Sequence, residues 1–176
     1  GKKVLVEFIK KESASNFFEC LKEKDNLPCD VEYMSGEDSI IERSRILHRI
    51  KESTRGIILV ATQVVEAGVD IDMDIGYKNI SKLDSEEQFM GRINRSCQRK
   101  GEVYFFKLDE GSGIYRDGDI RIEKRFTLEN DEMKNILLEK EFSLYYEKIL
   151  DVLKRNRNDL SNDSGLDCFF ENRVGK

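Results

Sequence analysis

Histidine is almost missing from this sequence. His48 is the only one, so chemistry built on a histidine base would have to run through that single side chain. It lies in a helix-like stretch among Arg45, Leu47 and Ile50 and reads as a surface or packing residue. The four cysteines, at 20, 29, 97 and 168, include no Cys-x-x-Cys pair and have no histidine beside them. Neither a zinc site nor a dense disulfide framework is indicated, and they read as reduced thiols. Long apolar runs are also lacking. The longest, Ile57-Ile58-Leu59-Val60-Ala61, falls far short of the roughly 18 residues that span a bilayer, so no membrane segment is expected. No basic leader precedes an apolar stretch at the start, and the chain opens on glycine rather than methionine. A piece of a longer, cytoplasmic protein is expected. A positive balance is missing too: the net charge of −5 argues against nucleic-acid binding by bulk charge, so any such binding must be local. Finally, nothing reads G-x-x-x-x-G-K-[ST], which excludes a complete nucleotide hydrolase of the P-loop kind.

What is present fits about one domain plus an appendage. The chain has 176 residues, 39% of them hydrophobic and 37% charged, enough for a packed core under a heavily solvated surface. Val4-Leu5-Val6-Glu7-Phe8-Ile9 reads as a buried strand, followed by a helix through Phe17, Cys20 and Leu21 that Ser13 or Ser15 would cap. Val31-Glu32-Tyr33-Met34 reads as a second strand. Ser39-Ile40-Ile41-Glu42 has capping-box spacing and opens a helix through Ile46, Leu47 and Ile50. The run from Ile57 to Ala61 should be the central strand. Asp70-Ile71-Asp72-Met73-Asp74-Ile75 alternates with period two, which favours a strand with one face covered. A helix is expected from Asp84 to near Cys97, and a strand over residues 101–108. Strands alternating with helices in this way predict an α/β fold with a mostly parallel sheet and ligands at the carboxyl ends of its strands. Beyond Asp109 a loop should lead to one long amphipathic helix, from about Asp131 to Arg155, and a polar tail. The expected division is therefore 1–108 and 109–176.

Two segments carry candidate chemistry. Between Glu87 and Glu102 there is no acidic residue, although the chain has 35. On a helix, Gln88, Arg92, Arg95 and Arg99 would share one face, and planar guanidinium forks suit phosphate oxygens. The bland alternative is a solvated basic face. The second segment runs from Thr62 through Gln63 and Gly68 to Asp70. Here a buried strand would end at a hydroxyl, make a short turn whose amides could meet a phosphate, and reach a carboxylate able to accept from a sugar hydroxyl. A plain strand-to-helix junction is the bland reading. Asp70, Asp72 and Asp74 mimic the first ligands of an EF-hand, but Ile75 and Ser81 stand where that loop needs glycine and glutamate. Calcium is not expected, and no other metal site is.

In order, these segments resemble the second RecA-like motor domain of superfamily 2 helicases. Met34-Ser35-Gly36 with Glu42-Arg43, then Ala61-Thr62-Gln63 through Gly68-Val69-Asp70, then Gln88 to Arg95 resemble successive helicase motifs. The wording Ala-Thr-Gln-Val-Val-Glu-Ala-Gly-Val-Asp-Ile-Asp and Gly-Arg-Ile-Asn-Arg is most similar to the CRISPR-associated helicase-nucleases of type I systems. DEAD-box RNA helicases usually have Gly where Asn94 stands, and the family often has Arg where Phe89 stands. The resemblance implies a RecA-like domain with a helical C-terminal extension. It implies Arg92 and Arg95 as catalytic arginine fingers, Gln88, Asp70 and Gly68 at ATP, and Thr62 and Gln63 on the nucleic-acid backbone. Mg²⁺ would be held by the first RecA-like domain of the same polypeptide, absent here, so this domain alone should not hydrolyse ATP. Implied partners are single-stranded DNA and a CRISPR RNA-guided surveillance complex. An RNA helicase or restriction-type translocase is the alternative, and a non-enzymatic adaptor a third.

Overall fold

Alternation decides how the strands pack. In β1 (Lys3–Glu7), Leu5 points to one side of the sheet while Val4 and Val6 point to the other, and β3 (Ile57–Ala61) repeats this with Ile57 and Leu59 against Ile58 and Val60. Each strand is thus apolar on both faces, as a parallel sheet covered on both sides requires. The computed structural model describes residues 1–65, 69–111, 114–115 and 119–161, with side chains as far as 156. With β2 (Asp30–Met34), β4 (Ile75–Asn79) and β5 (Glu102–Phe106), the strands form one five-stranded sheet in the order β2-β3-β1-β4-β5, parallel at every pairing. The strand at the centre is β1; the hydrophobic β3 is interior but lies beside it.

Helix α1 (Lys11–Lys22) sets Ala14, Phe18 and Leu21 against Val6, Phe8 and Val60 on one face. Neither serine caps it. Its N-cap position is Lys10, without a side-chain bond; Ser13 lies inside the first turn, where its hydroxyl donates to Asp109 at 2.8 Å and ties the helix to the segment after β5. On the other face, α2 (Ile40–Glu52) buries Ile46 and Ile50. Only half of the expected capping box forms: the Ser39 hydroxyl accepts from the Glu42 amide, while the Glu42 carboxylate turns to Arg45. Beside α2 lie the crossover that follows β3 and α3 (Leu83–Met90).

Further expectations fail for physical reasons. Ile71 and Met73 are buried and Asp70 is exposed, but Asp74 is buried as well, and residues 70–74 join no strand ladder; Met73 makes one isolated bridge to Ile93. The strand β4 begins just beyond, where Gly76, Lys78 and Asn79 disguise a buried segment. Gly76 is needed because a Cβ there would come within 2.6 Å of the Phe89 ring and 2.9 Å of Ile93. Lys78 is 1% exposed and pairs with Glu7 of β1 and Glu86 of α3, both wholly buried. Likewise the stripe read as one helix from Asp131 is two, α4 (Asp131–Glu139) and α5 (Phe142–Ser161), broken where Lys140 takes a left-handed backbone (φ 58°). The turn folds Tyr145 and Ile149 back over Met133 and Leu137, and this cluster packs on Leu83 and Met90 of α3 and Phe105 of β5.

Lys78→Met should destabilise the chain by about 3–5 kcal/mol, because it strands two carboxylates away from water. Ile40→Ala, at a side chain 84% exposed, should stay within about 0.5 kcal/mol. Urea unfolding midpoints of the two variants check the contrast.

Candidate nucleotide and nucleic-acid site

The helix that carries the arginine motif stops early. α3 ends at Met90 with Gly91 as its cap, and the next residues leave the helical path: the Arg92 amide bonds the Phe89 carbonyl, Ile93 bonds Met90, and Asn94 takes a left-handed backbone (φ 48°). The shared helical face expected for Gln88, Arg92, Arg95 and Arg99 therefore does not exist. Gln88 is exposed on α3, beside Gly91 and facing Leu137 of α4 and its cap Lys140 across a shallow cleft. Phe89, at the position where the family often has an arginine, is wholly buried and belongs to the core.

The arginines lie on a loop held by the aspartates that precede β4. Met73 pairs with this loop in both directions, its amide to the Arg92 carbonyl (2.9 Å) and its carbonyl to the Asn94 amide (2.7 Å). Asp70 pairs with the Arg95 guanidinium at 2.5 Å, both side chains largely exposed. Asp74, 2% exposed, pairs with Arg99 at 2.5 Å and also accepts from the Lys3 amide at 2.7 Å. Arg92 turns its Nε to the Val65 carbonyl at 3.2 Å, which fastens the loop to the turn after β3.

That turn holds the second candidate segment. Thr62, half-buried, leaves the carboxyl end of β3 with its amide on the Met34 carbonyl. A single 3-10 turn, Gln63–Val65, comes next in place of a longer helix. The Gln63 side chain donates to the Tyr115 hydroxyl, and the Lys82 ammonium stands 4.6 Å from the centre of that ring. Gly68 lies outside the described residues. Across the same end of the sheet, Arg43 of α2 donates to the carbonyls of Ser35 and Gly36 (3.2 and 3.0 Å), so the Met34-Ser35-Gly36 turn is fixed by its own motif partner.

The predicted residues thus fall into two groups. Thr62 and Gln63 sit at the carboxyl ends of the strands, where ligands were expected. Asp70 and Arg95 are brought together at the amino end of β4, with Arg92 joined to the crossover between the groups. Asn94, Asp72 and Asp74 also belong to this loop and its support, although in the sequence Asn94 reads only as a departure from a motif and the two aspartates only as an EF-hand mimic. Period-two aspartates before a strand, opposite a run without acids, are the signal that points to them.

A parallel sheet in this order, with an arginine loop folded against the crossover from β3, defines an α/β domain of the RecA-like kind. Residues 1–98, more than half of the chain, match the family described as CRISPR-associated nuclease/helicase Cas3, C-terminal. The chain belongs to this family and is a Cas3-like C-terminal helicase domain. It is 36% identical over 76 residues to a CRISPR-associated nuclease/helicase Cas3 from Methanothermobacter thermautotrophicus, a match spanning 37% of this chain and 9% of that protein. The fold is similar to that of T. fusca Cas3 with ADP, with a TM-score of 0.62 at 16% identity over 92% of this chain and 22% of that one. It is also similar to domain 2 of the DEAD-box helicase Mss116p bound to an RNA duplex, with a TM-score of 0.53 at 21% identity over 62% of this chain and 43% of that one. At these identities the structural likeness is one of fold.

The left-handed backbone accounts for Asn94 where DEAD-box proteins have glycine, since both residues adopt it readily. Asn94→Gly and Asn94→Ala both lose the side-chain bond to the Arg99 amide, so their difference isolates the backbone. The glycine variant should be the more stable by about 1 kcal/mol, read as thermal unfolding midpoints.

Proposed function

We propose that this chain is the C-terminal motor domain of an ATP-dependent helicase that translocates on single-stranded DNA during CRISPR interference. The observation that carries this reading is the pairing of Arg95 with Asp70 on a loop fastened to the turn after β3. A group suited to phosphate and a group suited to ribose are thereby adjacent and open to solvent, one short crossover from Thr62. Family membership supports the motor assignment. In the full-length protein, Arg92 and Arg95 meet the phosphates of ATP held by the first motor domain, where a guanidinium stabilises charge that develops during transfer. Gln88 supports the same phosphates, and Gly68 lets the backbone approach the nucleotide. Thr62 and Gln63 contact the DNA backbone, and binding of either ligand is communicated through the crossover that joins them. Among the described residues no group of three or more His, Cys, Asp or Glu side chains is placed to hold a metal. Mg²⁺ belongs in this reading to the first motor domain, and no step here runs through it. The extension beyond Asp109 braces α3 and β5, and the surveillance complex delivers the DNA strand. None of the described helices is long and apolar enough to cross a membrane.

The test is ATP hydrolysis by the full-length parent protein with single-stranded DNA, single-stranded RNA or no nucleic acid. Arg95→Ala and Arg92→Ala should each lower turnover by about 10³-fold or more while leaving the fold intact; near-normal turnover in both would sink the assignment. Stimulation by RNA rather than DNA would instead favour an RNA helicase. Thr62→Ala should raise the DNA concentration needed for half-maximal stimulation roughly tenfold, the worth of one hydrogen bond to a charged group. An unchanged value would remove Thr62 from the DNA contact.

A further inference from the structure

An arginine finger is a long side chain, so where its guanidinium arrives depends on how its own backbone is held. The amide of Arg95 is gripped by a side chain. Asp72 accepts from the Arg95 amide at 2.8 Å through Oδ1 and from the Ser96 amide at 3.4 Å through Oδ2. Its neighbours Ile71 and Met73 are 3% and 0% exposed, and the Met73 backbone is paired to the loop on both sides. Asp72 therefore projects from a segment that cannot shift without opening the core. Downstream, the Asn94 carbonyl oxygen Oδ1 accepts from the Arg99 amide at 3.0 Å, and Arg99 is pinned to buried Asp74. The loop is closed on both sides of Arg95, while the Arg95 side chain rests on the exposed carboxylate of Asp70.

We infer that Asp72 is a positioning residue for Arg95: its carboxylate sets the direction in which the finger leaves the loop, and the Asp70 pair is the contact the finger exchanges for ATP. Asp72 itself touches neither ATP nor DNA. Burial alone would push its carboxyl up, but hydrogen bonds from Ser96 and from the Arg95 and Ser96 amides, with the charge of Arg99, hold it below the usual carboxylate range. It is thus ionised throughout the working range. The inference rests on the proposed contact of Arg95 with ATP.

The experiment is DNA-saturated ATP hydrolysis by the full-length parent with Asp72→Ala, Asp72→Asn, Asp72→Glu, Arg95→Ala and the Asp72→Ala/Arg95→Ala double variant. Displacing a reacting group by about an ångström costs on the order of 100-fold, so Asp72→Ala should lower kcat roughly 10- to 100-fold. The KM for ATP should move less than about threefold, the mark of an interaction used at the transition state. Asp72→Asn keeps an acceptor for the Arg95 amide and should restore most of kcat. The double variant should be no slower than Arg95→Ala, since both act through one group. Asp72→Glu retains the charge and both acceptors but moves them by one methylene, so it should lose kcat even if Asp72→Ala proves unstable. Wild-type kcat in Asp72→Ala or in Asp72→Glu, beside an inactive Arg95→Ala, would overturn the positioning role and leave the finger standing. An active Arg95→Ala would overturn the finger reading itself.

Discussion

A buried ammonium, Lys78 between Glu7 and Glu86, is the constraint on which the arrangement of this domain turns. Charges removed from water are tolerated only in mutual contact, and removing one partner leaves the others uncompensated. The three residues come from the central strand, its neighbour β4 and helix α3, so the penalty for separating them fixes the helix against the sheet. Register is set by the same contact, because Glu7 lies directly opposite Lys78 in the β1–β4 pairing. With α3 at that distance, Phe89 fills the space above Gly76, and the chain that leaves the helix pairs with Met73. The loop that carries the arginines begins there.

That loop is shaped by its neighbour. The segment before β4 sends Ile71 and Met73 into the core and presents Asp70, Asp72 and Asp74 to the loop. Each carboxylate takes a different part: the Arg95 side chain, the Arg95 and Ser96 amides, and the Arg99 side chain. The same alternation that suggests a strand is thus used without a ladder partner. Amphipathic extended backbone needs only something to pack on and something to bind, and here these are the core and the arginine loop.

The fold class is legible in the sequence because parallel strands buried on both faces are unmistakably apolar, as residues 57–61 are. It becomes illegible where a buried strand contains charge. β4 is hidden because Lys78 is a core residue only by virtue of Glu7 and Glu86, and Glu7 lies far away in sequence. The break at Lys140 is hidden for a related reason: the apolar stripe continues across it, and only the left-handed residue shows that the chain reverses. At the candidate site the residue types are legible and their grouping is not. Helical spacing joins Gln88 to the arginines, but the helix ends at Met90 with Gly91 as its cap, and the chain beyond it pairs with the Met73 backbone. Asn94 reads as a departure in chemistry, whereas its role is conformational.

The pairing also explains how an acidic chain can hold an arginine site without broadcasting positive charge. Arg95 and Arg99 each have an aspartate of their own, yet the two pairs are not alike. The Arg95–Asp70 pair is exposed, and such pairs contribute about 0–1 kcal/mol, so a polyphosphate that offers the guanidinium several oxygens can take Asp70's place at little cost. Asp74 is buried and also holds the Lys3 amide, so displacing Arg99 would leave a carboxylate without its counter-charge inside the protein. One arginine is therefore free to change partners and the other is not. In the proposed reading, Arg95 waits neutralised by Asp70 until a nucleotide displaces that carboxylate, on a backbone that Asp72 and Met73 hold in place.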